Sequence, residues 1–281
     1  MIDLHMHSIF SDGSMTPEEL IAMGSKLGLK AMALTDHDTV AGVARFQAAA
    51  EQANMQVLTG VEVSADIESG TLHVLAYGVD IHNRMLLEHL RWIREGRDER
   101  NREILHKLNR MGIRLTMEEV ARYAGADVVG RPHIAQALIE RKHARDKRDA
   151  FDRFLAKGKP AYAERRRLES GSTLELIRLA GGLPIVAHPF TLKRTGKELK
   201  SYLADLKQQG LAGIEIYYTE HTPDMQRTYA QLADELGLLV TGGSDYHGSM
   251  SPGIHMGSGT GALMVPDDVY HSLIAALGRN N

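Results

Sequence analysis

Short apolar runs alternate with amphipathic helical patterns along most of the 281-residue chain. The runs have the length of strands, and the segments between them repeat apolar residues every three to four positions, as a helix with one buried face does. Repeated alternation of this kind is typical of α/β proteins built on a parallel sheet or a barrel. We therefore predict about seven strands, at residues 1–7, 31–38, 56–66, 70–80, 183–189, 212–218 and 238–245.

Local signals locate one helix start and one hairpin. Thr16, Pro17 and Glu19 form a capping-box pattern with proline at the first helical position, so a helix is predicted to begin at Pro17. The runs at 56–66 and 70–80 have no helical pattern between them, which predicts a hairpin across residues 67–70.

The middle of the chain has a different pattern. From about residue 83 to residue 159 it is helical and densely charged, with no convincing strand. We interpret residues 101–165 as a helical insertion domain that caps the substrate. Residues 1–100 and 166–281 then form one discontinuous barrel domain, which is within the size range of single-domain barrels.

Composition excludes several classes of site. The chain has no cysteine, so thiolate metal sites, cysteine nucleophiles and disulfides are ruled out. Its formal net charge of −3 argues against a protein that binds nucleic acid over its whole surface, so any anion site must be local. No stretch approaches the ~20 apolar residues of a membrane span. The few residues before His5 leave no room for a cleavable leader, so we expect a soluble cytoplasmic protein.

Histidines and carboxylates recur where the predicted strands end. Residues two apart in a strand point to the same side, so Asp3, His5 and His7 share one face. The same spacing returns in Asp245 and His247. Barrel enzymes assemble their sites at the carboxyl ends of the strands. Nine candidate metal ligands follow from these positions: His5, His7, Asp12, His37, Glu62, His73, His188, Asp245 and His247.

The number of ligands sets a minimum number of ions. Six histidines give one nitrogen each, and three carboxylates raise the total beyond the six positions of one octahedral ion. At least two metals are implied, with Asp12, Glu62 and Asp245 as candidate bridges. A single histidine is more often a packing residue, but repeated pairs at strand ends reverse that reading. Asp36 could orient a ligand or make a turn, and Asp38 or Thr39 could cap the next helix.

With these residues in place, the sequence resembles the PHP (polymerase and histidinol phosphatase) family. The motifs HMHSIFSDG, LTDHDT, GVEVS, LHVLAYG, AHP and GSDYHG occur in order between residues 5 and 248. The resemblance implies a distorted seven-stranded βα barrel with three divalent ions, of manganese, iron or zinc. It assigns His5, His7, Glu62 and Asp245 to one ion, Glu62, His73 and His188 to a second, and Asp12, His37 and His247 to the third.

The insertion narrows the choice within the family. Residues 130–162 resemble the insert of the group that contains 3′,5′-nucleoside bisphosphate phosphatases and their relatives that trim RNA from its 5′ end. The resemblance therefore implies a phosphomonoesterase that removes the 3′-phosphate of a nucleoside 3′,5′-bisphosphate.

The expected chemistry is attack by a metal-bridged hydroxide, because no nucleophilic side chain is evident and bound metals lower the pKa of water. Glu62, His188 and Asp245 are the candidate catalytic residues. The acid that protonates the leaving 3′-oxygen stays open, with His188 as one possibility.

A second phosphate needs a second anion site. Arg131 suits it because a guanidinium pairs with phosphate through two hydrogen bonds. His133 and Arg194 are further candidates, together with Lys193. The basic runs at 141–148 and 165–167 are expected to be solvated faces, although they could follow an RNA strand.

Other functions stay open at this point. An exoribonuclease acting 5′ to 3′ on short RNA would use the same metals, although the insertion has few aromatic residues for stacking. Histidinol phosphatase, a carbon–nitrogen amidohydrolase and a nucleotide-binding module without turnover are further alternatives. We expect a small nucleotide substrate and no DNA or membrane partner. The oligomeric state, the base preference and the metal used in the cell are left open.

Overall fold

The protein, described by a computed structural model over residues 1–124 and 129–278, is a mixed α/β structure. Its strands are β1 (Ala31–Ala33), β2 (Gln56–Leu58), β3 (Gly60–Asp66), β4 (Leu72–Tyr77), β5 (Leu168–Glu169), β6 (Leu183–Val186), β7 (Gly213–Tyr218) and β8 (Leu239–Gly243). Its helices are α1 (Pro17–Leu27), α2 (Val43–Ala53), α3 (Arg84–Arg110), α4 (Met117–Ala121), α5 (Arg131–Glu140), α6 (Lys147–Ala150), α7 (Ser170–Leu179), α8 (Gly196–Gln208), α9 (Pro223–Leu236) and α10 (Asp267–Leu277). A single π-helical turn, Phe151–Leu155, follows α6 directly.

The strands form two sheets. One has six strands in the order β5-β3-β4-β6-β7-β8, and the other pairs β1 with β2 in parallel. Within the larger sheet β4 is antiparallel to both of its neighbours, and the remaining pairs are parallel. The hairpin expected across residues 67–70 is confirmed by the antiparallel pairing of β3 with β4.

The N-terminal segment joins the two sheets. It forms no regular strand; single bridges connect Ile2 with Val265, Asp3 with Met32 and Met6 with Tyr246. Residues 2–6 therefore lie in extended form between β1 and the end of β8. The closed barrel of seven strands is not confirmed, because the described residues form eight strands in two bridged sheets.

Helix α1 begins and ends as its sequence indicates. The Thr16 side chain accepts a hydrogen bond from the Glu19 amide at 3.2 Å, and the Glu19 carboxylate accepts one from the Thr16 amide at 2.8 Å. This reciprocal pair satisfies two amides at the helix start. The helix ends at Gly28, whose φ of 73° favours glycine.

The middle of the chain is helical, as expected, and has a hydrophobic core of its own. Buried apolar residues between 104 and 163 form a cluster separate from those around the sheets. Helix α3 contributes to both cores, with Leu86, Leu90 and Ile93 toward the sheet and Ile104 and Leu108 toward the insertion. The predicted boundary at residue 100 therefore falls inside one continuous helix. In the described residues no helix has both the length and the apolar character needed to cross a membrane.

Candidate metal centre

The nine candidate ligands lie together at one end of the sheets. His5 and His7 come from the bridged N-terminal segment, and Asp12 from the loop that follows it. The others lie in strands or within four residues after a strand ends: His37, Glu62, His73, His188, Asp245 and His247. Three groups have ligand atoms within 4.8 Å of one another, namely His5, His7, Glu62 and Asp245; His7, Asp12, His37 and His247; and His37, Glu62 and His73.

Glu62 is at the centre of this cluster and is fully buried. Its Oε1 lies 2.8 Å from His73 Nδ1 and 3.0 Å from His188 Nε2. Its Oε2 lies 3.0 Å from His37 Nδ1 and 3.3 Å from His7 Nε2. Glu62 therefore belongs to two of the three groups of possible ligands. The first group is the set that the family resemblance implies for one ion. The resemblance also implies a set of Glu62, His73 and His188, but in the structure the third residue grouped with Glu62 and His73 is His37.

The donor atoms fit divalent metal ions. His7 Nε2, Asp12 Oδ1 and His37 Nδ1 are buried and have polar neighbours 3.0–3.1 Å away, but none of these contacts has hydrogen-bonding geometry. Buried polar atoms are almost always satisfied, so three such atoms converging in one cluster point to an additional ligand. Imidazole and carboxylate groups without sulfur suit zinc, manganese or iron. The residues present therefore fit a site for divalent metal ions.

Charges in the cluster stabilise one another. Burial alone raises the pKa of a carboxyl group, yet surrounding imidazoles hold the pKa values of Asp12, Glu62 and Asp245 well below their ordinary range. Burial lowers the pKa of His7, but Asp245 and Glu62 outweigh it and raise that pKa to about 10. Burial lowers the pKa of His37 to about 3. The ionised carboxylates attract cations, for which metal ions and protons compete.

Supporting residues fix the ligands, and sequence reasoning missed two of them. Glu215 accepts a hydrogen bond from His5 Nδ1 at 2.9 Å and from the His188 amide at 2.7 Å. The Tyr218 hydroxyl donates to Asp245 Oδ2 at 2.9 Å. Outer partners of this kind orient metal ligands. The sequence does contain a signal for Glu215, because a charged residue inside the apolar run of β7 indicates a buried functional or supporting role.

The two aspartates near His37 serve as supports. Asp36 accepts hydrogen bonds from the Ser8 amide at 2.7 Å and from the Ser11 hydroxyl at 2.6 Å, which holds the loop that leads to Asp12. Asp38 does not cap α2, whose N-cap is Gly42. It accepts from the Ser64 amide at 2.8 Å and pairs with buried arginines described below.

The backbone is strained at two candidate ligands. His188 has a φ of 27° and Asp245 a φ of 56°, values in the left-handed region that non-glycine residues rarely adopt. Such conformations cost of order 1–3 kcal/mol and cluster at functional sites. The fold therefore holds these side chains in position at a local cost.

A pocket with arginines on one side opens beside the cluster. We call it the arginine pocket. Its metal-side wall contains Asp12, His37, Ser64, Thr71 and His73, and its other wall contains Arg97, Arg100, Arg131, Arg165 and Arg167 with Pro132 and Phe151. Arg97 and Arg100 come from α3, Arg131 from the start of α5, and the last two from the segment before β5.

The arginine run at 165–167 was expected to be a solvated face, and this was wrong for two of its three residues. The side chain of Arg165 is 6% exposed and lies 3.6 Å from Asp38, and Arg167 lines the pocket. Arg166 points away and pairs with Glu99. Alternation along the extended segment sends the first and third side chains inward and the second outward.

The three predicted substrate-binding residues lie in different places. Arg131 lines the arginine pocket. His133 is fully buried; its Nδ1 accepts from the Gly130 amide, and its Nε2 has no partner. Arg194 lies outside the pocket, 3.3 Å from Glu198 and over the ring of Tyr202. Arg131 is therefore the one of the three that the structure places in that pocket.

Comparisons with known proteins identify the family of the chain. Residues 3–165 match the PHP domain. A 3′,5′-nucleoside bisphosphate phosphatase of Chromobacterium violaceum is 34% identical over 88% of this chain and 87% of its own length. A 5′-3′ exoribonuclease of Haemophilus influenzae is 32% identical over 87% of this chain and 89% of its own.

A solved structure from Bifidobacterium adolescentis, described as a metal-dependent phosphoesterase, superposes with a TM-score of 0.86 at 29% identity. The superposition covers 97% of this chain and 95% of the other. The match to the PHP domain extends over more than half of the chain, and the relatives cover most of the remainder. The chain belongs to the PHP domain family of metal-dependent phosphoesterases.

Proposed function

We propose that this protein hydrolyses the 3′-phosphate of nucleoside 3′,5′-bisphosphates and releases a nucleoside 5′-phosphate. One observation carries the proposal: candidate metal ligands and a set of arginines line the same pocket. A substrate with two phosphates would place one at the divalent ions that Asp12, His37 and His73 would hold and the other against the guanidinium groups. Both ends of such a substrate then meet complementary charge.

The arginine wall has an excess of positive charge. Among the described residues two carboxylates pair with its five arginines: buried Asp38 contacts Arg97 and Arg165, and exposed Asp66 contacts Arg167. Arg97 Nε, Arg100 Nη2 and Arg165 Nε are buried without hydrogen-bond partners. Burial and the neighbouring guanidinium groups lower the pKa of Arg100 to about 8. A dianionic phosphate would supply acceptors for these donors and offset the repulsion among them.

The candidate metal centre fits the chemistry of phosphate ester hydrolysis. Bound divalent ions would lower the pKa of a water molecule and offset charge on the phosphoryl oxygens. Within the protein, Glu62, His188 and Asp245 are our candidates for the catalytic residues. Glu215 holds both His5 and the backbone of His188 in place. We propose three ions, with manganese as the first metal to test.

Two relatives support different members of the same substrate class. The Chromobacterium violaceum relative is a bisphosphate phosphatase, and the Haemophilus influenzae relative is an exoribonuclease. A 5′-3′ exoribonuclease is therefore our second candidate function. A second opening of the site, described in the next subsection, favours it.

The test is phosphate release by the metal-reconstituted protein. Adenosine 3′,5′-bisphosphate is compared with 3′-AMP, 5′-AMP, histidinol phosphate and a short 5′-phosphorylated RNA. We expect the bisphosphate to be hydrolysed with much the highest kcat/KM of the monoesters and to leave 5′-AMP. Equal turnover of 3′-AMP would contradict a second anion site.

Arginine variants test the pocket directly. Arg131→Ala should raise KM for the bisphosphate roughly tenfold or more, because hydrogen bonds to charged groups contribute about 1.5–3 kcal/mol. Arg166→Ala is the matched control, since Arg166 pairs with Glu99 outside the pocket. An unchanged KM in Arg131→Ala would contradict a role of the arginine pocket in binding the substrate.

A further inference from the structure

The candidate metal centre has a second opening. A cavity beside the arginine pocket, called here the side cavity, is lined by Asp12, Pro132, His133, Lys147, Phe151, His247, Met250 and Ser251. Asp12, Pro132 and Phe151 line the arginine pocket as well. The two cavities therefore meet at a candidate metal ligand, on either side of Pro132 and Phe151.

The side cavity leads toward a surface cleft between the insertion and the loop that follows His247. This distal cleft is lined by Arg122, Tyr123, Gln136, Lys147, Ser249, Met250 and Pro252. Lys147 and Met250 belong to both cavities, and Lys147 Nζ donates to the Met250 carbonyl at 2.7 Å. This contact bridges the cleft. Lys147 is exposed, so the hydrogen bond is weak enough to exchange for a phosphate oxygen.

The lining of this path suits single-stranded nucleic acid. None of the described residues that line the distal cleft is acidic, while Arg122 and Lys147 are cationic. Tyr123 and Phe151 provide aromatic faces along the path. Cations beside aromatic rings bind a strand through its phosphates and by base stacking. His133 Nε2 is a buried polar atom without a partner in the wall of the side cavity.

A nucleoside bisphosphate leaves this path empty. Its two phosphates are accounted for by the metal-side and arginine walls of one pocket. The side cavity begins where the first phosphate would lie, and the distal cleft continues from it away from the arginine pocket. A group esterified to that phosphate would be directed there.

We propose that the side cavity and distal cleft bind the nucleotides that follow the scissile phosphate in a short 5′-phosphorylated RNA strand. The proposal rests on the proposed function, since it uses the same metal centre and arginine pocket. The 5′-phosphate lies in the arginine pocket, the first internucleotide phosphate lies at the metal centre, and the rest of the strand leaves through the cleft.

The bond broken is the same for both substrates. Water adds its oxygen to phosphorus, the bond between phosphorus and the 3′-oxygen breaks, and the 3′-oxygen takes a proton. A bisphosphate yields a nucleoside 5′-phosphate and inorganic phosphate. A strand yields a nucleoside 5′-phosphate and an RNA one nucleotide shorter that again carries a 5′-phosphate. The product is therefore a substrate for the next cycle.

The experiment is a chain-length series with the manganese-reconstituted protein. The substrates are adenosine 3′,5′-bisphosphate and 5′-phosphorylated RNAs of two, three and four nucleotides. We expect kcat/KM to rise about tenfold or more from the dinucleotide to the tetranucleotide, since one stacked base contributes roughly 1–3 kcal/mol. Lys147→Ala and Tyr123→Ala should abolish most of this gain. Lys157→Ala, which removes an exposed lysine of the insertion outside both cavities, should retain it.

Binding supplies a second readout that does not depend on turnover. A tetranucleotide with a 3′-fluorophore is titrated by anisotropy against EDTA-treated protein at several salt concentrations. Lys147→Ala should weaken binding and reduce the slope of log affinity against log salt by about one, as for the loss of one phosphate contact. The same slope in wild type and Lys147→Ala would contradict a phosphate contact at Lys147.

The two proposals fail in different ways. Hydrolysis of the bisphosphate with no cleavage of any RNA would overturn the strand path and leave the proposed function intact. Cleavage of RNA without hydrolysis of the bisphosphate would overturn the proposed function and support the path. RNA cleavage with no dependence on length, or a gain that survives in both variants, would also overturn the path.

Discussion

Five imidazoles surround the single carboxylate of Glu62, which makes this residue the centre of the candidate metal site. His5 Nε2 lies 3.4 Å from Glu62 Oε2, in addition to the four contacts already described. A carboxylate in this position neutralises charge for every ion near it. A substitution at Glu62 should therefore remove the charge of the side chain and keep its shape.

Glu62→Gln keeps the shape of the side chain and removes its charge. We expect the variant to bind at least one ion fewer per chain, as measured by elemental analysis after gel filtration. Turnover should fall by at least about 100-fold, since loss of even an outer partner of a ligand costs 10- to 100-fold. Glu68→Gln, in the exposed turn between β3 and β4, is the control. Full metal content in Glu62→Gln would exclude it as a ligand.

Asp38 is a second carboxylate whose surroundings make a strong prediction. It is fully buried and pairs with Arg97 and Arg165, which hold its pKa at about 2 although burial opposes this. Asp38→Asn would leave these guanidinium groups buried without a counter-charge. Removal of one partner of a buried pair costs about 3–5 kcal/mol. Urea denaturation should show a loss of this size in the free energy of unfolding.

An exposed pair supplies the comparison for Asp38. Asp66 lies 3.5 Å from Arg167 with its side chain 59% exposed. Exposed ion pairs contribute about 0–1 kcal/mol, so Asp66→Asn should change stability little. Equal effects of the two substitutions would mean that the guanidinium groups beside Asp38 are solvated after all.

The buried arginines were beyond sequence reasoning for a physical reason. Arg97 and Arg100 lie in a densely charged helix, and Arg165 lies in a run of three arginines, patterns that usually face water. They are buried because α3 packs against a segment some 70 residues later in the chain. The candidate metal ligands were predictable because alternation along each strand directs them without reference to distant contacts.

At the scale of elements, α3 packs closely against the segment of the arginine run. A Cβ atom added at Gly96 would lie 2.9 Å from the Arg166 Cβ, closer than real Cβ contacts. Glycine therefore permits the approach that brings Arg97 and Arg165 to the same carboxylate. The close packing of α3 against the segment of residues 165–167 and the shape of the arginine pocket therefore depend on one another.

Gly96→Ala tests this packing. Alanine favours a helix interior by about 1 kcal/mol over glycine, so an uncrowded position would be stabilised. Here the expected overpacking cost of about 1–3 kcal/mol exceeds that gain, and thermal denaturation should show a net loss. Gly171→Ala in α7 is the control, because its added methyl meets only the mobile end of Gln209. A higher melting temperature for Gly96→Ala would show that α3 shifts to accommodate the methyl group without losing stability.

Elements with local end signals were predictable, whereas the N-terminal strand was not. Helices α1 and α9 lie where their sequences indicate, with threonine caps and proline at the first turn of each. Residues 1–7 have the pattern of a strand but form only single bridges, because pairing depends on how the two sheets approach each other. The extended backbone still alternates, so His5 and His7 both face the site.

At the scale of the whole molecule, the candidate metal site contains side chains from distant parts of the chain. Its ligands extend from His5 to His247 and come from the bridged segment, both sheets and the loops after β6 and β8. Bound ions would therefore add links between elements that are distant in the sequence. Without ions, the carboxylates and imidazoles stabilise one another only in part, since buried His7, Asp12 and His37 atoms have no neighbour in hydrogen-bonding geometry.

Metal binding should consequently raise the stability of the entire fold. A ligand at 100 times its Kd stabilises the folded state by about 2.7 kcal/mol, and a domain of this size gains roughly 2–4 °C per kcal/mol. We expect the melting temperature to rise by about 5–10 °C when manganese is added to EDTA-treated protein, as measured by circular dichroism. Glu62→Gln should give a smaller shift. Identical melting curves with and without metal would contradict a centre assembled from these distant segments, because any ion that binds the folded chain must stabilise it.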